Sequence, residues 1–228
     1  MKLLAIETAT EACSAAVLLD QDVIEHYQYA PREHNQLILP MMTKVMQEAN
    51  IGFADLDAIA FGCGPGSFTG VRIAAGIAQG VALGLDLPVI PVSTLAALAH
   101  DVLTSDEADV AYSCIDARMN EVYWGVYGRD NAGGVELLVS ERVCAVADIP
   151  LGTIDKPAVA TGSGWGTYAD ILSGRVGNAL KSILPEKYPR AASVARLAAR
   201  AFRDGRTYPA ELAQPTYLRD KVVNLPGL

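Results

Sequence analysis

The residues most able to do chemistry lie in the run Gly62-Cys63-Gly64-Pro65-Gly66-Ser67-Phe68-Thr69-Gly70-Val71-Arg72. It follows a strand-length apolar stretch, Leu56–Phe61, and its glycines let the backbone turn through angles that other residues avoid. Ser67 or Thr69 can then cap a helix running to about Leu85, leaving backbone N–H groups at its start free to meet an anion. The side chains that would complete a phosphate site are missing. A Walker loop needs Lys and then Ser or Thr after its last glycine, where this chain has Val71 and Arg72. A dinucleotide fingerprint begun at Gly64 and Gly66 needs Gly or Ala at position 69, which holds Thr.

Other reactive residue types are scattered. His26, His34 and His100 form no His-Glu-x-x-His or His-x-x-x-His pair, so the spacing predicts no metal site. Ser14, Ser67 and Ser93 lack the Gly-x-Ser-x-Gly elbow of a serine hydrolase. Cys13, Cys63, Cys114 and Cys144 are far apart and read as buried thiols rather than disulfides or zinc ligands. A net charge of -8 lacks the basic excess that drives phosphate-backbone binding, so if nucleic acid is involved another chain supplies most of the grip. No apolar run reaches the roughly 20 residues of a membrane helix, and Glu7 arrives too early for a signal peptide, which predicts a cytoplasmic protein with no membrane contact.

Three helices position these residues. Val71–Leu85 carries Arg72 as its single charge, with glycines at 76, 80 and 84. Interior glycines cost roughly 1 kcal/mol each relative to alanine, so the ladder implies another backbone packed close, either a sheet of this chain or a partner's helix. A helix over Glu33–Asn50 presents Leu37, Met41, Met42, Val45 and Met46, a soft face that suits a core or a partner. Ser193 caps a third helix ending at Arg203, whose arginines 196, 200 and 203 form one stripe, a solvated face or a patch for an acidic partner or RNA.

The order of elements repeats. Strands at Leu3–Ile6, Cys13–Leu19 and Val23–Gln28 are matched by Val110–Ile115, Glu121–Tyr127 and Val135–Val139, the last two joined by a turn over Arg129–Gly134. A helix, a strand, a helix and a strand complete the first half. This is the α/β layout of the duplicated actin-like ATPase (ASKHA, ribonuclease H-like) fold, two lobes of mixed sheet flanked by helices. The expected lobes are residues 1–104, carrying the partner-binding helices, and residues 105–228, a degenerate copy. Active members of that superfamily hold nucleotide phosphates in the two hairpin turns, with a carboxylate near the metal. Glu7 and Asp116 stand at those places, but the turns contain no glycine, Glu11 adds like charge, and Arg118 is the one helpful cation.

Ile6-Glu7-Thr8-Ala9-Thr10, His34-Asn35-Gln36-Leu37, the run Gly64–Ile73, Ile115-Asp116-Ala117-Arg118 and Pro215-Thr216-Tyr217-Leu218-Arg219 together resemble the bacterial TsaB (YeaZ) family over nearly the whole chain. The resemblance implies a non-catalytic partner of TsaD. TsaD transfers threonylcarbamoyl from the adenylate made by TsaC to adenosine 37 of tRNAs reading codons that begin with A. It further implies a heterodimer with TsaD, the ATPase TsaE bound across that pair, tRNA contacted through the complex, and a homodimer when alone. ATP and a metal ion would be used by partner subunits and no cofactor by this chain. The implied partner surface comprises Leu37, Met41, Met42, Val45 and Met46 with Arg72, Ile73, Gly76, Ile77, Gly80, Val81 and Gly84. Glu7, Thr8, Asp116, Arg118, Gly162 and Gly164 would line a vestigial nucleotide cleft. The alternative is an active ATP-dependent phosphotransferase or peptidase of the same fold.

Overall fold

The computed structural model describes residues 1–105, 108–130, 133–152, 156–177 and 180–219. The expected turn residues Asn131 and Ala132, and Asp106 between the halves, lie outside them. Strands β1 (Lys2–Glu7), β2 (Ala12–Leu19), β3 (Asp22–Tyr29), β4 (Ala58–Gly64) and β5 (Val89–Ser93) form a first sheet in the order β3-β2-β1-β4-β5. β1 pairs antiparallel with β2 and parallel with β4. Strands β6 (Val110–Arg118), β7 (Glu121–Arg129), β8 (Val135–Ala145), β9 (Ala158–Thr161) and β10 (Leu180–Leu184) form a second sheet in the order β10-β9-β6-β7-β8. Read from the other edge, this is the same order, with the same antiparallel hairpins and parallel crossover. The chain therefore has the duplicated actin-like fold.

Both faces of the first sheet are covered, which is why β1 and β2 are apolar at nearly every position. Leu4, Ile6, Cys13, Ala15 and Val17 face α1 (His34–Glu48) and α2 (Phe68–Leu85). Their neighbours Leu3, Ala5, Ala16 and Leu18 face α6 (Ala191–Arg203), as the two-residue period of a strand requires. α2 is 18 residues long and apolar enough to resemble a membrane span, yet Ala74, Ala78 and Ala82 are fully buried on β4 and the sheet core.

In the second half, α3 (Thr94–Ser105) packs Leu95, Leu98 and Val102 against Ala111, Ile115 and Tyr127. The opposite face holds Trp124 and Trp165, carried by β7 and the short helix α4 (Ser163–Thr167), with Leu172 of α5 (Ala169–Val176). α3 and α6 meet between the sheets, where His100 Nδ1 lies 3.1 Å from Ser193 Oγ. Ser193 is thus inside α6 and bonded to α3; the helix begins two residues earlier than its expected cap.

Residues counted with the second half by sequence return to the first sheet. α6 lies across β1 and β2, Tyr208 exchanges backbone hydrogen bonds with Val89 at 2.8 and 2.9 Å, and Thr216 N donates to Cys63 O at 2.7 Å. The tail then crosses to the second hairpin, where Arg219 reaches Ala117 O at 3.1 Å and pairs with Glu121. α6 can do this because alanines at 191, 195, 198 and 199 give it a flat, fully apolar side toward the sheet.

Candidate functional site

The glycine run is shaped by the chain's own backbone. Gly64 has φ +106, and a Cβ at Gly66 or Gly70 would overlap the carbonyl oxygens of Ala9 or Thr8. The β4–α2 connection therefore lies directly on the β1–β2 turn, tied by Ser67 N to Ala9 O at 2.7 Å and Thr8 Oγ1 to Gly70 O at 2.8 Å. Ser67 caps α2 by accepting from Gly70 N at 3.1 Å. The approach a phosphate loop would offer to a ligand is filled here by Thr8 and Ala9.

Farther along α2 the glycines change character. Gly76, Gly80 and Gly84 are exposed, and an added Cβ at any of them meets nothing within 4 Å. Among the described residues, no other element of this chain supplies the close backbone that the ladder implies. Ile73, Ile77 and Val81 flank the ladder half-buried, and Leu83 stands 52% exposed beside it. At its N-terminal end the Arg72 guanidinium lies 3.2 Å from the centroid of Phe68 and 5.1 Å from that of Tyr217. Phe68 and Tyr217 are themselves 59% and 52% exposed. The α2 side of the expected partner surface is therefore exposed, and Phe68, Tyr217 and Leu83 stand exposed beside it, which sequence does not reveal because an apolar residue gives no local sign of facing water.

The α1 side needs correction. Met41, Met42, Val45 and Met46 are buried against the first sheet, packed with Leu4, Ile6 and Phe61. A broad apolar face on a helix beside a sheet is drawn onto that sheet, because each buried side chain of this size gains roughly 1.5–3 kcal/mol. Leu37 is half-buried at the edge and Leu39 is 52% exposed, so α1 offers an outward rim rather than its methionines.

The expected nucleotide cleft is also rearranged. A cavity of about 930 Å³ opens between the two halves, bounded by the β1–β2 turn at Thr10 and Glu11, the starts of α1 and α2, the β6–β7 turn and the tail at Tyr217. Asp116 and Arg118 line it. Asp116 is committed to Arg118: one oxygen accepts the Arg118 amide at 2.8 Å and the other its guanidinium at 3.0 Å. Arg118 also reaches across to Glu11 at 3.7 Å.

Glu7 and Thr8 do not reach the cleft. Both are fully buried, and Glu7 Oε1 accepts from Ala9 N at 2.6 Å. Gly162 and Gly164 pack on Cys114 of β6, where a Cβ at either would overlap that residue. The histidines likewise serve packing: His34 Nε2 lies 3.1 Å from Ala12 O and His26 Nε2 lies 3.0 Å from Glu48. Among the described residues no three His, Cys, Asp or Glu side chains stand close enough to share a metal ion.

Comparison with known proteins places these features in a family. Residues 23–226 match the family described as TsaD, tRNA N6-adenosine threonylcarbamoyltransferase. The chain is 41% identical to the tRNA threonylcarbamoyladenosine biosynthesis protein TsaB of Escherichia coli (strain K12), over 100% of this chain and 99% of that protein. It superposes on YeaZ from Pseudomonas aeruginosa with a TM-score of 0.89 and 39% identity, covering 95% of this chain and 99% of that one. A second P. aeruginosa structure, described as an uncharacterized protein with similarity to peptidase YeaZ, gives the same TM-score and identity over 96% of this chain and 99% of the other.

Proposed function

The chain belongs to the TsaB (YeaZ) family of tRNA threonylcarbamoyladenosine biosynthesis proteins, and from that premise we propose that it is a non-catalytic subunit that pairs with TsaD. In this reading TsaD carries the transfer of threonylcarbamoyl to adenosine 37 of tRNAs reading codons that begin with A. TsaE binds across the pair, tRNA is held by the complex, and ATP and a metal ion are used by the partner subunits. The protein works in the cytoplasm, and in the absence of TsaD two copies pair through the same surface.

The observation that carries the reading is the open glycine ladder of α2. Glycines at 76, 80 and 84 give up helix stability and meet nothing within 4 Å among the described residues. A partner helix laid along Arg72, Gly76, Gly80 and Gly84 would approach to backbone distance, with Ile73, Ile77 and Val81 burying their exposed edges beside it. The Phe68–Arg72–Tyr217 stack at one end has the residue types that anchor interfaces.

The peptidase reading calls on a nucleophile and a base. His100 and Ser193 are 3.1 Å apart, but they are 2% and 4% exposed between α3 and α6, out of reach of a peptide. Burial, reinforced by Arg196, pushes the His100 pKa down to about 4, making it a weak base.

The test of the interface is Gly80→Leu, whose Cβ would meet nothing within 4 Å, so the fold is expected to survive the change. In size-exclusion chromatography with TsaD the wild-type chain co-elutes and Gly80→Leu runs separately. Normal co-elution of a folded Gly80→Leu chain would remove α2 from the interface.

A further inference from the structure

Away from the cleft and the glycine ladder, the arginines of α6 close a second concavity. Arg196, Arg200 and Arg203 line a notch of about 230 Å³, whose other walls are the β2–β3 turn at Asp20 and Gln21 and the backbone of Gly133–Gly134. The three stand on the helix edge that leaves the core, one above another at i, i+4 and i+7.

Charge in this notch is unbalanced. Asp20 is held by the N-terminal ammonium at 2.6 Å, and Asp130 pairs with Arg200 while accepting from Gly134 N at 2.8 Å. Those bonds fix the Arg200 fork against the wall. Arg196 reaches Gln21 O at 3.5 Å, and Arg203 makes no hydrogen bond or ion pair among the described residues, its neighbour Asp204 being turned to Arg206 at 2.8 Å. Among the residues that line the notch, three arginines face one carboxylate, Asp20, in a chain whose net charge is -8. The local excess is opposite in sign to the whole molecule.

Arginine forks match phosphate oxygens in pairs. The notch is smaller than the 300 Å³ or so at which sites for whole small molecules begin, so it suits one phosphate presented by a larger polyanion. We propose that the α6 notch binds phosphodiester groups of the RNA backbone, so that this chain contributes directly to holding tRNA. The inference rests on the TsaD-partner reading given above. Such phosphate binding orients RNA without reading its sequence, and leaves base recognition to the catalytic subunit.

The experiment uses the complex of this chain with TsaD and fluorescently labelled tRNA, titrated by anisotropy over a range of salt. The double variant Arg196→Gln/Arg203→Gln is expected to bind about tenfold more weakly near 0.1 M salt, and to flatten the log–log salt slope by roughly one for each phosphate it no longer neutralises. Arg206→Gln, which removes one such charge just outside the notch, is expected to alter neither. Unchanged binding by the double variant overturns the inference, as does an equal loss per charge in Arg206→Gln, which would mean a general field rather than a site. Inorganic phosphate that shifts the arginine side-chain NMR signals of the isolated chain, with tRNA affinity unaffected by the double variant, would also overturn RNA as the ligand. A wild-type complex that cannot modify tRNA would instead sink the functional reading beneath it.

Discussion

Gly62 leaves the space that the Glu7 carboxylate fills. A side chain at position 62 would overlap Glu7 Oε2, and in that space beside Thr94 Glu7 has no exposure to solvent. One oxygen is satisfied by Ala9 N and the other has no hydrogen-bond partner among the described residues. Burial disfavours the charged form and pushes the pKa from 4.5 up to about 7. The residue that looks like a catalytic acid in sequence is a buried, near-neutral carboxyl under the first turn.

The sign of its effect follows. Between pH 4.5 and 7 the native chain keeps a proton that the unfolded chain has released. The contribution is present in full below the unfolded value and is lost as pH rises through the folded one, about 3 kcal/mol in all. Glu7→Gln keeps an acceptor for Ala9 N and removes the titration. Urea unfolding of Glu7→Gln should therefore lose this component of the pH slope; a slope equal to wild type would contradict the assignment.

Glycines on one helix should respond in opposite directions. Gly70→Ala places a Cβ on the Thr8 carbonyl oxygen and should destabilise by about 1–3 kcal/mol. Gly80→Ala meets open space and should stabilise the isolated chain by up to ~1 kcal/mol. Thermal unfolding of the two variants separates these outcomes.

The α1 methionines should behave as core. Met42 is 1% exposed, so Met42→Ala should lower unfolding free energy by about 2–5 kcal/mol, whereas Leu39→Ala, 52% exposed, should stay within about 0.5 kcal/mol. Denaturant titration of the chain alone checks both. A neutral Met42→Ala that nevertheless abolishes pairing with TsaD would return the methionines to the interface.

A polar tie joins the two halves: Ser93, at the end of β5, and Tyr127 of β7 both donate to Glu141 of β8. Tyr127→Phe and Ser93→Ala each remove one donor to a partly buried carboxylate, at a cost of about 1–3 kcal/mol. Because they share that acceptor, the double-mutant cycle should show a coupling of about 0.5 kcal/mol or more. Strict additivity would mean the tie is not formed.

Much of this architecture can be read in one dimension. The β-periodic runs, the Asp20-Gln21 turn and the Ser67 cap mark the first hairpin and α2 close to their observed limits, and their repetition reveals the second lobe, although β8 runs on to Ala145, six residues past the expected Val139. β10 carries a weaker mark, because Leu180–Leu184 is a short, half-exposed strand with Lys181 near its start, framed only by Gly177-Asn178 and Pro185. Ser193 resembles a cap because a serine before an alanine-rich run usually is one; its partner His100 comes from an element 93 residues away. The site is less legible for the same reason. Gly70 and Gly80 are alike as letters, and only the presence of Thr8 beside one and open space beside the other separates a packing glycine from an exposed one. The burial of Glu7 depends on Gly62, which no local pattern connects to it.

The central claim is that this chain enables TsaD without doing the chemistry itself. Its most direct test is reconstitution with TsaD, TsaC and TsaE, ATP, threonine, bicarbonate and unmodified tRNA, scoring threonylcarbamoyladenosine with and without this chain. The expected result is modification when the chain is present, background when it is omitted, and no product from this chain with TsaC when TsaD is left out. Equal modification without the chain, or product formed without TsaD, would contradict it.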